Sequence, residues 1–117
     1  MTTNVTRAAP LKTAHVTTFI NPSASGATAI IAAIPGAAIR VLGVGIVSTL
    51  ANSVKFQSNS TDISATWPLG ANGGIVLPFN EHGWCQTAIG EALNINMTVA
   101  TATGIHISYI IVLNTQG

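Results

Sequence analysis

Between His15 and Leu113 the chain is cut by Gly, Pro, Asn and Ser clusters into short stretches rich in Val, Ile and Thr. None of these stretches carries an apolar stripe at helical spacing, so the punctuation disfavours a helical fold and predicts an all-β protein. The expected strands cover 15–20, 28–34, 38–50, 54–57, 63–67, 75–79, 84–88, 92–100 and 105–113. Eight or so strands within 117 residues predict a jelly-roll-like antiparallel β-sandwich with a single core over 13–117. Residues 1–12 read as an extended N-terminal arm, interrupted by Pro10.

Alternation assigns faces to these strands. Leu93, Ile95, Met97 and Val99 alternate with Asn94, Asn96 and Thr98, which predicts one face in the core and one in water. The last strand differs: Ile105, Ile107, Tyr109 and Ile111 share one face, while His106, Ser108, Ile110 and Val112 share the other. Its two-sided apolarity predicts burial on both faces, either within the sandwich or against a partner subunit. In 40–50, Leu42, Val44 and Ile46 oppose Val41, Gly43, Gly45 and Val47, and glycines on a strand face permit close backbone approach. The candidate interface residues are therefore Val41, Gly43, Gly45, Val47, His106, Ile110 and Val112. Trp67 and Trp84, placed near strand ends, are expected to anchor loops. Asn72-Gly73, within 69–74, predicts a hairpin turn.

The stretch 28–51 has the length and apolarity of a membrane span. Pro35-Gly36 and Arg40 interrupt it, and its β-branched residues suit two strands separated by a turn. No membrane partner is expected.

Charged residues make up only 6% of the chain, against about 25% in ordinary soluble proteins. Copies repel one another weakly under those conditions, which favours an assembly component. The formal charge of +1 without a Lys/Arg cluster lacks the basic footprint of nucleic-acid binding. One cysteine, Cys85, makes no internal disulfide, and the N-terminus lacks the order of a secretory signal, so cytoplasmic synthesis is expected. The run Gly43 to Ser48 partly mimics a dinucleotide fingerprint but misses the third glycine and the following helix. Glu81, His82 and Cys85 lie close in sequence without the further ligands that zinc requires. Asp62, Glu81 and Glu91 form no close pair, and His15 and His106 stand alone in predicted strands. These readings predict no catalytic residues, no metal and no cofactor: the chain is not expected to be an enzyme.

Several segments taken together carry a resemblance. They are Val54-Lys55-Phe56-Gln57-Ser58, Asp62-Ile63, Trp67-Pro68-Leu69, Ala71-Asn72-Gly73-Gly74-Ile75-Val76-Leu77-Pro78-Phe79-Asn80, Gly83-Trp84, Thr87-Ala88 and Gly90-Glu91-Ala92-Leu93-Asn94-Ile95-Asn96, together with the last strand. In these, over 28–113, the chain resembles a family of small proteins encoded in tailed-phage structural gene clusters. Cys85 departs from the pattern, where an aromatic such as Phe would be expected. The resemblance implies a virion-associated β-sandwich similar to jelly-roll capsid cement or decoration proteins. Expected partners are the major capsid protein and the chain itself, as a homotrimer or homodimer on the capsid surface. The competing expectation is a head-fibre, tail or receptor-binding module that recognises host glycans near Trp67 and Trp84.

Overall fold

The computed structural model describes residues 15–113, and the arm expected at 1–12 lies outside them. Ten strands follow in order: β1 (Val16–Ile20), β2 (Gly26–Ile31), β3 (Ala37–Ser48), β4 (Asn52–Ser58), β5 (Thr61–Asp62), β6 (Trp67–Leu69), β7 (Gly73–Leu77), β8 (Cys85–Gln86), β9 (Leu93–Met97) and β10 (Thr103–Leu113). One sheet runs β2-β9-β4-β5, with β6 also pairing β4; the other runs β1-β10-β3-β7, with β8 also pairing β3. Every pairing is antiparallel.

β5 and β6 are two pieces of one interrupted strand on β4, and β7 and β8 stand in the same relation to β3. Counted that way, eight strands form two four-stranded sheets in the interleaved order of a jelly roll, with only β4 and the β5-β6 strand consecutive in one sheet. The expected fold class is the one observed. The stretch 28–51 supplies the end of β2, a turn at Gly36 (φ 76°) and β3. Among the described residues, no helix is long and apolar enough to cross a membrane.

Alternation explains the core. Phe56, Val54, Leu93, Ile95 and Met97 point inward from one sheet and meet Ile39, Val41, Val44, Ile46, Ile105 and Ile107 from the other. β9 stops at Met97, two residues short of Val99. There the buried Asn52 side chain accepts the Val99 N–H at 3.0 Å and, at 3.2 Å, the Thr98 N–H, which also donates to the Ser53 carbonyl of β4 at 3.1 Å.

Two local expectations change. Of the segment 63–67, only Trp67 lies in a strand. Ile63 donates its N–H to the Phe56 carbonyl (3.0 Å) and the Ser64 hydroxyl accepts the Phe56 N–H (2.8 Å), after which the chain leaves the sheet until Trp67. The Asn-Gly signal does form a turn, with Asn72 at φ 57° and Gly73 N–H bonded to the Gly70 carbonyl at 2.8 Å. It is not a hairpin, because β6 and β7 belong to opposite sheets. Asn-Gly specifies positive φ locally and carries no information about which sheet receives the next strand.

Candidate functional site

The two outer faces of the sandwich differ in chemistry. On the β2-β9-β4-β5 sheet the outward residues of β9, β4 and β5 are polar and bonded to one another, with Ala27 and Ala29 of β2 beside Asn96 and Asn94. Asn96 donates to Gln57 (3.2 Å), Gln57 donates to Asp62 (2.8 Å), and Lys55 pairs with Asp62 at 3.0 Å. Gln57 and Lys55 beside Asp62 hold its carboxyl below the usual carboxylate range.

The β1-β10-β3-β7 sheet presents the opposite. Strand register lines up Phe19, His106, Gly45 and Val76 in one row across all four strands. Two residues along β3, a second row holds Gly104, Val47 and Gly74, and in the other direction a third holds Thr17, Ser108 and Gly43. Directly opposed residues in antiparallel pairs share a face, and no formal charge stands in any of the three rows. Phe19, Val76 and Val47 are 60%, 76% and 57% exposed. The Phe19 ring stacks on His106 with centroids 5.5 Å apart. The missing side chains of Gly45 and Gly104 leave an apolar groove of about 500 Å³, lined also by Gly74 and walled by Val47, Val76 and His106. A second depression of about 280 Å³ continues over Gly43 toward Phe79.

Four of the residues singled out from sequence, Gly43, Gly45, Val47 and His106, come together on this face. Val41 does not: it is fully buried in the core. The reason is a bulge in β3. Ser108 faces Gly43 while Tyr109 faces Val41, so Leu42 is an extra residue and the alternation changes phase there. Core positions are consequently Ile39 and Val41 before the bulge and Val44 and Ile46 after it. Ile110 and Val112 lie beyond the bulge on the outer side, opposite Arg40 and Ala38, and are half-buried.

The tryptophans separate. Trp67 packs edge-on against Phe56 (5.8 Å, 78°) and belongs to the core wall. Trp84 holds the 78–84 loop: its indole N–H donates to the Pro78 carbonyl at 2.8 Å and its backbone N–H to the Val41 carbonyl at 2.7 Å. Phe19 and Val76 are the contributors that the sequence reading missed. Thr17 and Phe19 do share a face by alternation, but nothing in sequence brings β1 beside β10 or β7 beside β3.

Glu81, His82 and Cys85 do not converge. The His82 and Glu81 side chains are exposed and 4.0 Å apart. Cys85 sits opposite Val41, packed on the core, and burial pushes its thiol up to about 11. A thiol held protonated is a poor nucleophile and a poor metal ligand. Among the described residues no group of three or more His, Cys, Asp or Glu side chains is placed to hold a metal.

No family model matches the chain, nor does any curated protein or solved structure.

Proposed function

We propose that this protein is a structural component that acts by burying surface, specifically a phage capsid cement or decoration protein that clamps neighbouring subunits of an assembled shell. The observation that carries the reading is the contrast between the two sheets: one outer face carries a bonded polar layer on β9, β4 and β5, the other a groove flanked by exposed Phe19, Val47 and Val76 with no formal charge in the three rows around it. An apolar patch of this kind on a small domain marks a protein contact, since leaving it in water forgoes about 25 cal/mol for each Å² that a partner would cover. The resemblance of 28–113 to small proteins of phage structural gene clusters supplies the identity of the shell. A copy that binds the assembled shell and not its dissociated subunits stabilises the shell by mass action, and many copies multiply that effect.

Glycan recognition by a head-fibre, tail or receptor-binding module has less support. It is expected to use Trp67 and Trp84 together, whereas Trp67 is packed on Phe56 and leaves Trp84, 44% exposed with its indole N–H tied to its own loop, as the one tryptophan of the two open to a sugar.

The deciding measurement is the number of copies relative to the major capsid protein in purified particles, by quantitative mass spectrometry. Cement requires abundance comparable to the capsid protein. A few copies per particle would point to a fibre or tail part, and absence from particles would end the virion reading.

A further inference from the structure

We propose that the outer face of the β1-β10-β3-β7 sheet is covered by the same face of a second copy of this chain, through a two-fold axis that lies in the interface and crosses the strands above Ile46. Self-association as such follows from the sparse charge. The new element is the surface and its register, and it does not depend on the cement reading.

The argument rests on the order of large and absent side chains in adjacent rows. Along β10, β3 and β7 one row reads His106, Gly45, Val76 and the next reads Gly104, Val47, Gly74. Wherever the first row has a side chain the second has hydrogen, and the reverse. Between them lies the inward-pointing row Ile105, Ile46, Ile75. A two-fold axis in the interface above that middle row reverses the strand direction and keeps each strand over its own counterpart. Val47 of one copy then falls over Gly45 of the other, His106 over Gly104, and Val76 over Gly74. An isologous contact demands such self-complementarity, since each position meets its symmetry mate's partner.

Two further observations fit. The groove has room over two of its glycines: a Cβ added at Gly45 would meet nothing within 4 Å and one at Gly104 only the Asn21 side chain at 3.8 Å, whereas at Gly74 that position is already filled by the Ile46 carbonyl oxygen. The three rows carry no formal charge, so bringing two such faces together sets no like charges against each other. The contact is small: with the axis above Ile46, β3 (Ala37–Ser48) overlaps its counterpart only over 44–48, and five residues at about 3.3 Å on four strands about 4.8 Å apart come to about 300 Å² per copy. That is below the about 800 Å² per partner of a standard interface, so the dimer is a weak one that forms at high concentration. Aligned packing of sheet faces about 10 Å apart is the geometry that such a contact adopts.

The test uses the full chain in sedimentation equilibrium over a wide range of concentrations, with circular dichroism confirming that each variant folds. The wild-type chain is expected to form a dimer. Gly45→Val places a side chain where Val47 of the second copy must sit and raises the dimer Kd about tenfold or more, as overpacking does. Combining it with Val47→Gly exchanges bump and hole and restores the dimer. Val76→Gly, which removes an exposed side chain and spares the core, also weakens association. A chain monomeric at every concentration, with this face left for another protein, overturns the proposal, as does a trimer. So does a folded Gly45→Val that dimerises like the wild type. Association with shells is read separately by co-sedimentation with particles, so a dimer that ignores shells refutes the cement reading and leaves this contact standing.

Discussion

Asn52 shows how a polar side chain earns a place in an apolar interior. Its Oδ1 accepts the backbone N–H groups of Thr98 and Val99 and the Thr98 hydroxyl, and its Nδ2 donates to the Val99 carbonyl. Asn52→Ala leaves the Val99 N–H and carbonyl without these partners, while Thr98 keeps its bonds to Ser53, so we expect a loss of about 1–3 kcal/mol in urea unfolding. Phe56, fully buried and touching Trp67 edge-on, is expected to cost about 3–5 kcal/mol when cut to Ala. Cys85 predicts a pH effect. Desolvation favours its neutral form and raises the folded-state value to about 11, above the ordinary 9.0. The resulting stability is fully present below pH 9.0 and is lost as pH rises toward 11. Melting temperatures measured across that window should fall more steeply for the wild type than for Cys85→Ala.

At the scale of elements, the β3 bulge links packing to loop placement. Around the inserted Leu42 two consecutive carbonyls, of Val41 and Leu42, face the loop that joins β7 to β8 and accept the N–H groups of Trp84 (2.7 Å) and Asn80 (2.8 Å). Gly83 completes the turn at φ 86°, where an added Cβ would press on the Arg40 side chain at 2.5 Å. Trp84→Ala removes the indole bond to Pro78, and we expect a modest loss of about 1–2 kcal/mol. Its clearer signature is local: amide exchange should accelerate at 80–84 while the β3 and β10 amides keep their protection, because the loop opens without the sheets. Uniform acceleration across both sheets would show instead that the loop supports the sandwich as a whole.

For the whole molecule, the jelly-roll order makes nearly every strand pair distant in sequence, β1 with β10 and β2 with β9 being the extremes. Such topologies fold in milliseconds to seconds because loop closure precedes the contacts that reward it. A single core shared by both sheets also predicts one cooperative transition, with tryptophan fluorescence and far-UV circular dichroism superimposing in urea. The strand class and most core residues were legible in sequence, since period-two alternation in 93–97 and 105–111 and Gly/Pro/Asn punctuation are local properties of the chain. Partner choice was not. Asn72-Gly73 announced a turn, yet whether it joined paired strands or crossed between sheets depended on where β3 and β4 already lay. Val41 looked equivalent to Gly45 and Val47 until Leu42 broke the phase, and a bulge is a property of two paired strands, not of one. The alternating order of side chain and glycine across His106, Gly45 and Val76, and across Gly104, Val47 and Gly74, likewise exists only after three segments remote in sequence are set in register. The sequence by itself determined that this chain makes β-strands and which side chains are apolar. Only the tertiary structure decided which of them share a surface, because faces are summed within a strand while surfaces are summed across strands.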